Sequence, residues 1–348
     1  MKTVHKLVLN YLPGLDYLRA IFCVFVVMWH VGFGTNPTMQ LITNFFDKKY
    51  LVFYIFNLNF LLLAVPGFLL VSNFLFVQKG GTVSRLKENI RKYLYLFVFW
   101  VFVTKLFSGN IGYFISLLPK NGLAVFQLFT GGFSGFYFFL ISLSLSQIVT
   151  YYIQNFSFKI IRIGSIVSLI TTFLLAFVSL KSGNTLMVLY YNPLNFISVP
   201  FLAVLLNRVF KSNIEHKKLI WLTLAIGIGA AILEWYILPN KIFLQVSRFG
   251  MPEYMRPSIY LFGTFLILLA LRITKSPIRI IRTLSYYSLP IYLIFPNYVD
   301  WSHVIVENFS IRYLQIRNFV ASVLCIVITL FVIKIFELYL KSKTGVTK

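Results

Sequence analysis

Long apolar blocks alternate with short polar breaks along the whole of this 348-residue chain. A helix needs about 20 mostly apolar residues to cross a hydrocarbon layer ~30 Å thick. Reading the blocks between breaks predicts about ten transmembrane helices, at 15–34, 50–77, 93–107, 133–154, 163–180, 193–210, 219–238, 257–273, 284–299 and 318–338. The block at 93–107 is short, and 122–132 reads as a partial or re-entrant segment. Pro66 and Gly67 interrupt the second block and predict a kink there unless the freed carbonyls find partners, because proline removes a backbone donor and its ring crowds the preceding turn. The expected architecture is an all-α polytopic membrane protein forming a single domain over residues 1–348. No polar stretch is long enough for a separate soluble domain.

Composition supports the membrane reading. The chain is 59% hydrophobic and 12% charged, where a soluble domain is about half apolar and a quarter charged. The net charge of +23 is spread over short loops. It is not gathered on one polar face, so nucleic acid is not the expected partner, and an anionic membrane leaflet is. If the N-terminus is inside, the cytoplasmic segments hold 20 of the 32 Lys and Arg, the outer loops hold 10, and Arg19 and Lys334 lie within spans. That bias predicts an N-in, C-in arrangement in a cell membrane, with a bacterial inner membrane the natural setting. Cys23 and Cys325 both fall in apolar blocks and the four histidines are scattered, so no metal site is expected. The first apolar block is long, carries Arg19 and lacks a small-residue cleavage site, so it is expected to be retained.

That first block, LDYLRAIFCVFVVMWHVGF, carries the candidate chemistry. Arg19 and His30 are separated by ten residues, and eleven helical steps return to nearly the same face about 16 Å along the axis. Ionisable residues inside a membrane are costly and mark function by default. Asp16 is three residues before Arg19, within reach to orient its guanidinium. Arginine prefers phosphate or carboxylate, and a neutral imidazole in a water-poor cavity suits general-base work. The alternatives are a snorkelling arginine anchor and an interfacial histidine bonded to a neighbouring helix.

The stretch GLDYLRAIFCVFVVMWH resembles the opening of the acyltransferase-3 family of integral membrane acyltransferases, whose members carry an Arg-x10-His motif. Arg19 and His30 match its spacing, and Leu15, Asp16, Leu18 and Ala20 match its surroundings. Pro66-Gly67-Phe68-Leu69 resembles the family's "SGFL" element with proline in place of serine. Lys87 and Arg91 resemble its basic entry to the third helix, with Tyr95 where a proline often follows. Ser288 to Pro296 resembles a late "S-x-x-IYLiHP" element with Phe295 at the histidine, and Phe136 to Leu140 weakly resembles "HLWFL" with Phe136 at the histidine.

The resemblance implies a membrane acyltransferase, commonly an O-acetyltransferase. It would move an acyl group from cytoplasmic acyl-coenzyme A, a donor substrate rather than a bound cofactor, to a hydroxyl of a surface glycan or lipid-linked sugar. Arg19 and His30 then take the catalytic roles. The basic cluster Arg85, Lys87, Arg91 and Lys92 could hold donor phosphates, or only orient the chain against anionic lipid. Glu234, inside the seventh block, is a candidate for acceptor binding or for a helix–helix contact. Arg248, Glu253 and Arg256 could contact a sugar or carboxylate but read first as a solvated external loop, and Tyr286, Tyr287 and Tyr292 as core or interface aromatics. The rival function is a polysaccharide or lipid-intermediate transporter that uses the same charges without consuming an acyl donor.

Overall fold

The computed structural model describes residues 11–32, 55–107, 122–132, 135–212, 216–245, 250–309, 311 and 313–344. Its regular elements are all helical, with no strand among the described residues. The α-helices are α1 (Pro13–Val31), α2 (Ala64–Gln78), α3 (Val83–Phe107), α4 (Gly122–Thr130), α5 (Phe138–Ile153), α6 (Phe158–Ser182) and α7 (Ser198–Lys211). They continue as α8 (His216–Ile237), α9 (Pro257–Ala270), α10 (Arg279–Tyr286), α11 (Ser288–Ile294), α12 (Val299–Glu307) and α13 (Leu314–Thr344). Six helical segments are long and apolar enough to cross a membrane: Pro13–Val31, Phe56–Gln78, Phe158–Ser182, Pro193–Lys211, Lys217–Ile237 and Leu314–Ser342. Phe138–Ile153 and Pro257–Ala270 are shorter apolar helices.

Three predicted elements take a different form. The second block changes form just before Pro66. It begins as a π-helix, Phe56–Leu61, and restarts as α2 at Ala64. Pro66 therefore lies in the first turn of α2, where a missing N–H costs little. The third helix begins at Val83, ten residues before the predicted start, so the basic loop forms its first turns. The ninth predicted helix, 284–299, is broken into α10, α11, a 3-10 turn at Phe295–Tyr298, and α12. Pro290 sits in the first turn of α11 and Pro296 in the first turn of the 3-10 segment, each at a helix start where a residue without N–H is tolerated. The segment at 122–132 contains the short helix α4.

Close backbone approach brings α1 into the centre. A Cβ added at Gly14 would lie 1.8 Å from the Ala270 carbonyl oxygen, and one added at Gly67 would lie 2.4 Å from the Phe22 ring. Phe22 and Phe68 then meet edge to face at 5.7 Å. One large core runs through the described residues, with Phe22, Val27, Leu69, Phe74, Phe139, Ile259 and Ile291 all buried in it.

Contacts at the helix ends show which ends share a face. The start of α1 meets the end of α9 at Gly14 and Ala270. The end of α5 meets the α2–α3 turn, where Gln154 Nε2 donates to Gly81 O at 2.7 Å. The end of α7 joins them, with Asn207 Nδ2 donating to Gln78 Oε1 at 2.7 Å. Arg19, Lys79 and Arg85 mark this basic face. At the opposite face, Asn318 Nδ2 near the start of α13 donates to Gly32 O at 2.8 Å, just past the end of α1.

Candidate active site

Asp16 and Arg19 are one helical turn apart on α1, so their side chains project from the same face. Asp16 is held from three directions. Tyr11 Oη donates to Oδ2 at 2.5 Å, Ser285 Oγ donates to Oδ1 at 2.6 Å, and Arg19 Nη1 lies 3.8 Å from Oδ1. Arg19 Nη2 donates to Ser288 Oγ at 3.3 Å, and Ser288 Oγ in turn donates to Ser285 O at 2.8 Å. The break between α10 and α11 thus supplies one hydroxyl to the guanidinium, from Ser288, and one to its partner Asp16, from Ser285.

The guanidinium lines a cavity of about 510 Å³ between α1, α2, α3, α5 and α11, a size suited to a small molecule or part of one. Lys79, Arg85 and Lys92 line it with Arg19, and Glu88 is the one carboxylate among the lining residues. Four cations against one acid make the mouth attractive to an anion such as a phosphate. Residues 85, 88, 89 and 92 recur at helical spacing and so form one face of α3. Arg85 is fixed by a hydrogen bond from its guanidinium to Lys79 O, and Asn89 Nδ2 ties α3 to α5 through Gln147 Oε1 at 3.0 Å. The turn that brings Lys79 and Arg85 together passes through Gly80 and Gly81, with φ of +90° and +39°, a region open to glycine.

Further along α1, His30 is packed between two aromatic rings. Its ring centroid lies 4.7 Å from that of Phe136 and 5.4 Å from that of Phe295. These are the two positions where the sequence has phenylalanine in place of the resembled family's histidines. They meet on His30 because α11 runs beside α1, passing Arg19 at Ser288 and reaching His30 at Phe295. The start of α5 is pinned to the same segment: Tyr292 Oη donates to Phe136 O, and Tyr137 Oη donates to Leu293 O at 2.9 Å. Tyr292 and Phe139 both line the Arg19 cavity and pack on each other at 4.9 Å. Tyr292 also touches Phe295 at 6.2 Å. A layer of aromatic side chains therefore separates the basic cavity from His30.

The family profile for an acyltransferase domain matches residues 12–337, nearly the whole chain. The chain belongs to the acyltransferase-3 family. No curated protein and no solved structure matches it. Membership of the family and the six long apolar helices make it a multi-pass membrane acyltransferase.

Among the residues singled out from sequence, the structure joins Arg19 and Arg85 at the cavity, pairs Asp16 with Arg19, and places His30 beyond the aromatic wall. Lys87 and Arg91 are exposed on another face of α3 and do not line the cavity. Glu234 lies elsewhere, buried where α8 meets α9, and accepts hydrogen bonds from Ser258 N at 2.7 Å and from Ser258 Oγ. Arg256 is not in a solvated loop. It is fully buried, with Nη1 donating to Asn59 Oδ1 at 2.8 Å and Nη2 to Leu58 O, so it closes the π-helix onto the start of α9. Arg248 lies outside the described residues. Among the described residues no group of three or more His, Cys, Asp or Glu could hold a metal ion. Ser285, Ser288 and Tyr292 were not foreseen as site residues, because only the break after α10 brings them against α1.

Proposed function

We propose that the chain, working as one domain, transfers an acyl group, acetyl in the simplest case, from acyl-coenzyme A to a hydroxyl of a surface glycan or lipid-linked sugar. The observation that carries this reading is the placement of Arg19 and His30. One lies in a cavity lined by four cations, and the other lies about 16 Å further along the same helix, beyond an aromatic layer. The donor's phosphates bind Arg19, Lys79, Arg85 and Lys92, with Asp16, Ser285 and Ser288 holding the Arg19 fork in register. The flexible thioester arm extends past Tyr292 and Phe139, whose rings must part to admit it, toward His30. His30 takes the proton from the acceptor hydroxyl as its oxygen attacks the thioester carbonyl. The carbon–sulfur bond then breaks and the coenzyme leaves as thiolate, which recovers a proton.

In this proposal the face carrying Arg19 and Arg85 is cytoplasmic, giving the N-in, C-in orientation. The chain crosses about ten times, counting α3, α5, α9 and the broken α11–α12 segment with the six long helices. The contacts between helix ends support this alternation. Cells with and without the gene provide the test, with surface glycans analysed for ester-linked acyl groups. The ester is expected only in cells with the gene, and it is lost in cells carrying His30→Ala. Glycans with identical ester content in all three strains would overturn the reading. Unmodified glycan reaching the surface only when the gene is present would favour the transporter.

A further inference from the structure

A second cavity lies apart from the Arg19 site. It is a groove of about 1340 Å³ walled by α6 and α8 and floored by α7 and α9, larger than the ~300–1,000 Å³ usual for small-molecule clefts. Both wall helices start at the basic face, and their apolar side chains line most of its length: Ile166, Ile170 and Phe173 on α6, and Leu222, Ile226 and Leu233 on α8. From Lys218 to Glu234 the groove follows sixteen residue steps of α8, about 24 Å of helix. That is most of the ~30 Å depth of a bilayer core.

The groove is not uniform along this length. Arg162 and Lys218 line it at the end shared by the starts of α6 and α8. The other end is closed by Glu234, which is already engaged by Ser258. The polar side chains Ser165 and Thr223 near the basic end donate back to Ile161 O and Leu219 O at 2.8 and 2.7 Å. They therefore need no ligand, and the two cations give the opening its character. A long apolar trough with positive charge at a single end matches one kind of occupant, an amphiphile with an anionic head and long hydrocarbon tails. We propose that this groove is a binding site for an anionic phospholipid of the surrounding leaflet, its phosphate held by Arg162 and Lys218 and its acyl chains lying along α6 and α8.

The site does not depend on acyl transfer, and its test does not read activity. The full-length chain, purified in detergent, is mixed with dioleoyl phosphatidylglycerol or dioleoyl phosphatidylcholine, and bound lipid is counted from the masses of intact complexes. The wild type is expected to bind the anionic lipid in preference, by about fivefold for each cation in contact with the phosphate. Arg162→Gln with Lys218→Gln removes that preference but leaves neutral-lipid binding in place. Ala230→Phe, which puts a ring into the trough, weakens binding of both lipids. Three results would overturn the proposal: equal binding of the two lipids to the wild type, a preference that survives the double substitution, or anionic binding untouched by Ala230→Phe. A chain that is dimeric in detergent and becomes monomeric on Ala230→Phe would also overturn it, by assigning the groove to a second copy.

Discussion

Arg19 is tied to the protein rather than a loose anchor, since its fork donates to Ser288 Oγ and faces Asp16, which Ser285 holds in turn. Arg19→Lys keeps the charge and loses the fork. Its donor KM should rise about tenfold or more, because a planar, bidentate grip on phosphate is not replaced by a point charge. The α3 cluster divides by face. Arg85→Gln and Lys92→Gln, each at the cavity, should raise donor KM several-fold, while Lys87→Gln and Arg91→Gln on the exposed face leave it within about twofold of wild type. Steady-state kinetics at varied acyl-coenzyme A distinguishes the two pairs, and equal effects from both would sink the face assignment. The sequence showed the Arg-x10-His stripe because one unbroken helix carries both residues. It could not sort Arg85 from Lys87. The spacing of four between Lys87 and Arg91 was visible, but the face of α3 turned toward α2 and α5 is decided by packing.

At the scale of elements, the decisive features are where helices break and where they approach. Gly67 admits the Phe22 ring against the α2 backbone. Gly67→Ala should force α1 and α2 apart and destabilise the protein by about 1–3 kcal/mol, read as a lower Tm of the purified chain; an unchanged Tm would show that the contact yields freely. Tyr292→Phe removes the hydroxyl that Phe136 O accepts and should cost about 1 kcal/mol of stability. It should also lower kcat with little change in donor KM, because the lost hydroxyl anchors the rings around His30, while the cavity's four cations and the Tyr292 ring itself stay in place. The breaks were the least legible part of the sequence. Hydropathy reads 284–299 as one span because Pro290 and Pro296 interrupt the backbone without interrupting the apolar run. The π-helix at Phe56–Leu61 has no such marker. It is stabilised by Arg256, almost two hundred residues away, through Asn59 and Leu58, and a contact of that sequence separation leaves no periodic trace.

For the whole molecule, the apolar blocks predicted an all-helical membrane protein, and the helical content and family membership agree. The orientation rests on the distribution of Lys and Arg. Cys23 and Cys325 are both buried, so single cysteines introduced at exposed sites can report sidedness. Thr82→Cys, in the turn beside the donor cavity, should react with a membrane-impermeant thiol reagent only from the cytoplasmic side. Lys241→Cys, beyond the other end of α8, should react only from outside. The reverse pattern would invert the topology and move the basic cavity away from cytoplasmic coenzyme A. In the proposed function the molecule has two ends with different tasks: a cationic mouth that would take the donor and an aromatic-walled histidine that would meet the acceptor.

Thioester consumption by the purified full-length chain, measured with acetyl-coenzyme A and a glycan acceptor, tests this division most directly. Wild type should release coenzyme thiol and acylate the acceptor. His30→Ala should lose at least about 100-fold in turnover while still binding acetyl-coenzyme A with near-normal affinity, and Arg19→Ala should bind it poorly. Turnover by His30→Ala at the wild-type rate, or undiminished donor binding by Arg19→Ala, would contradict the account.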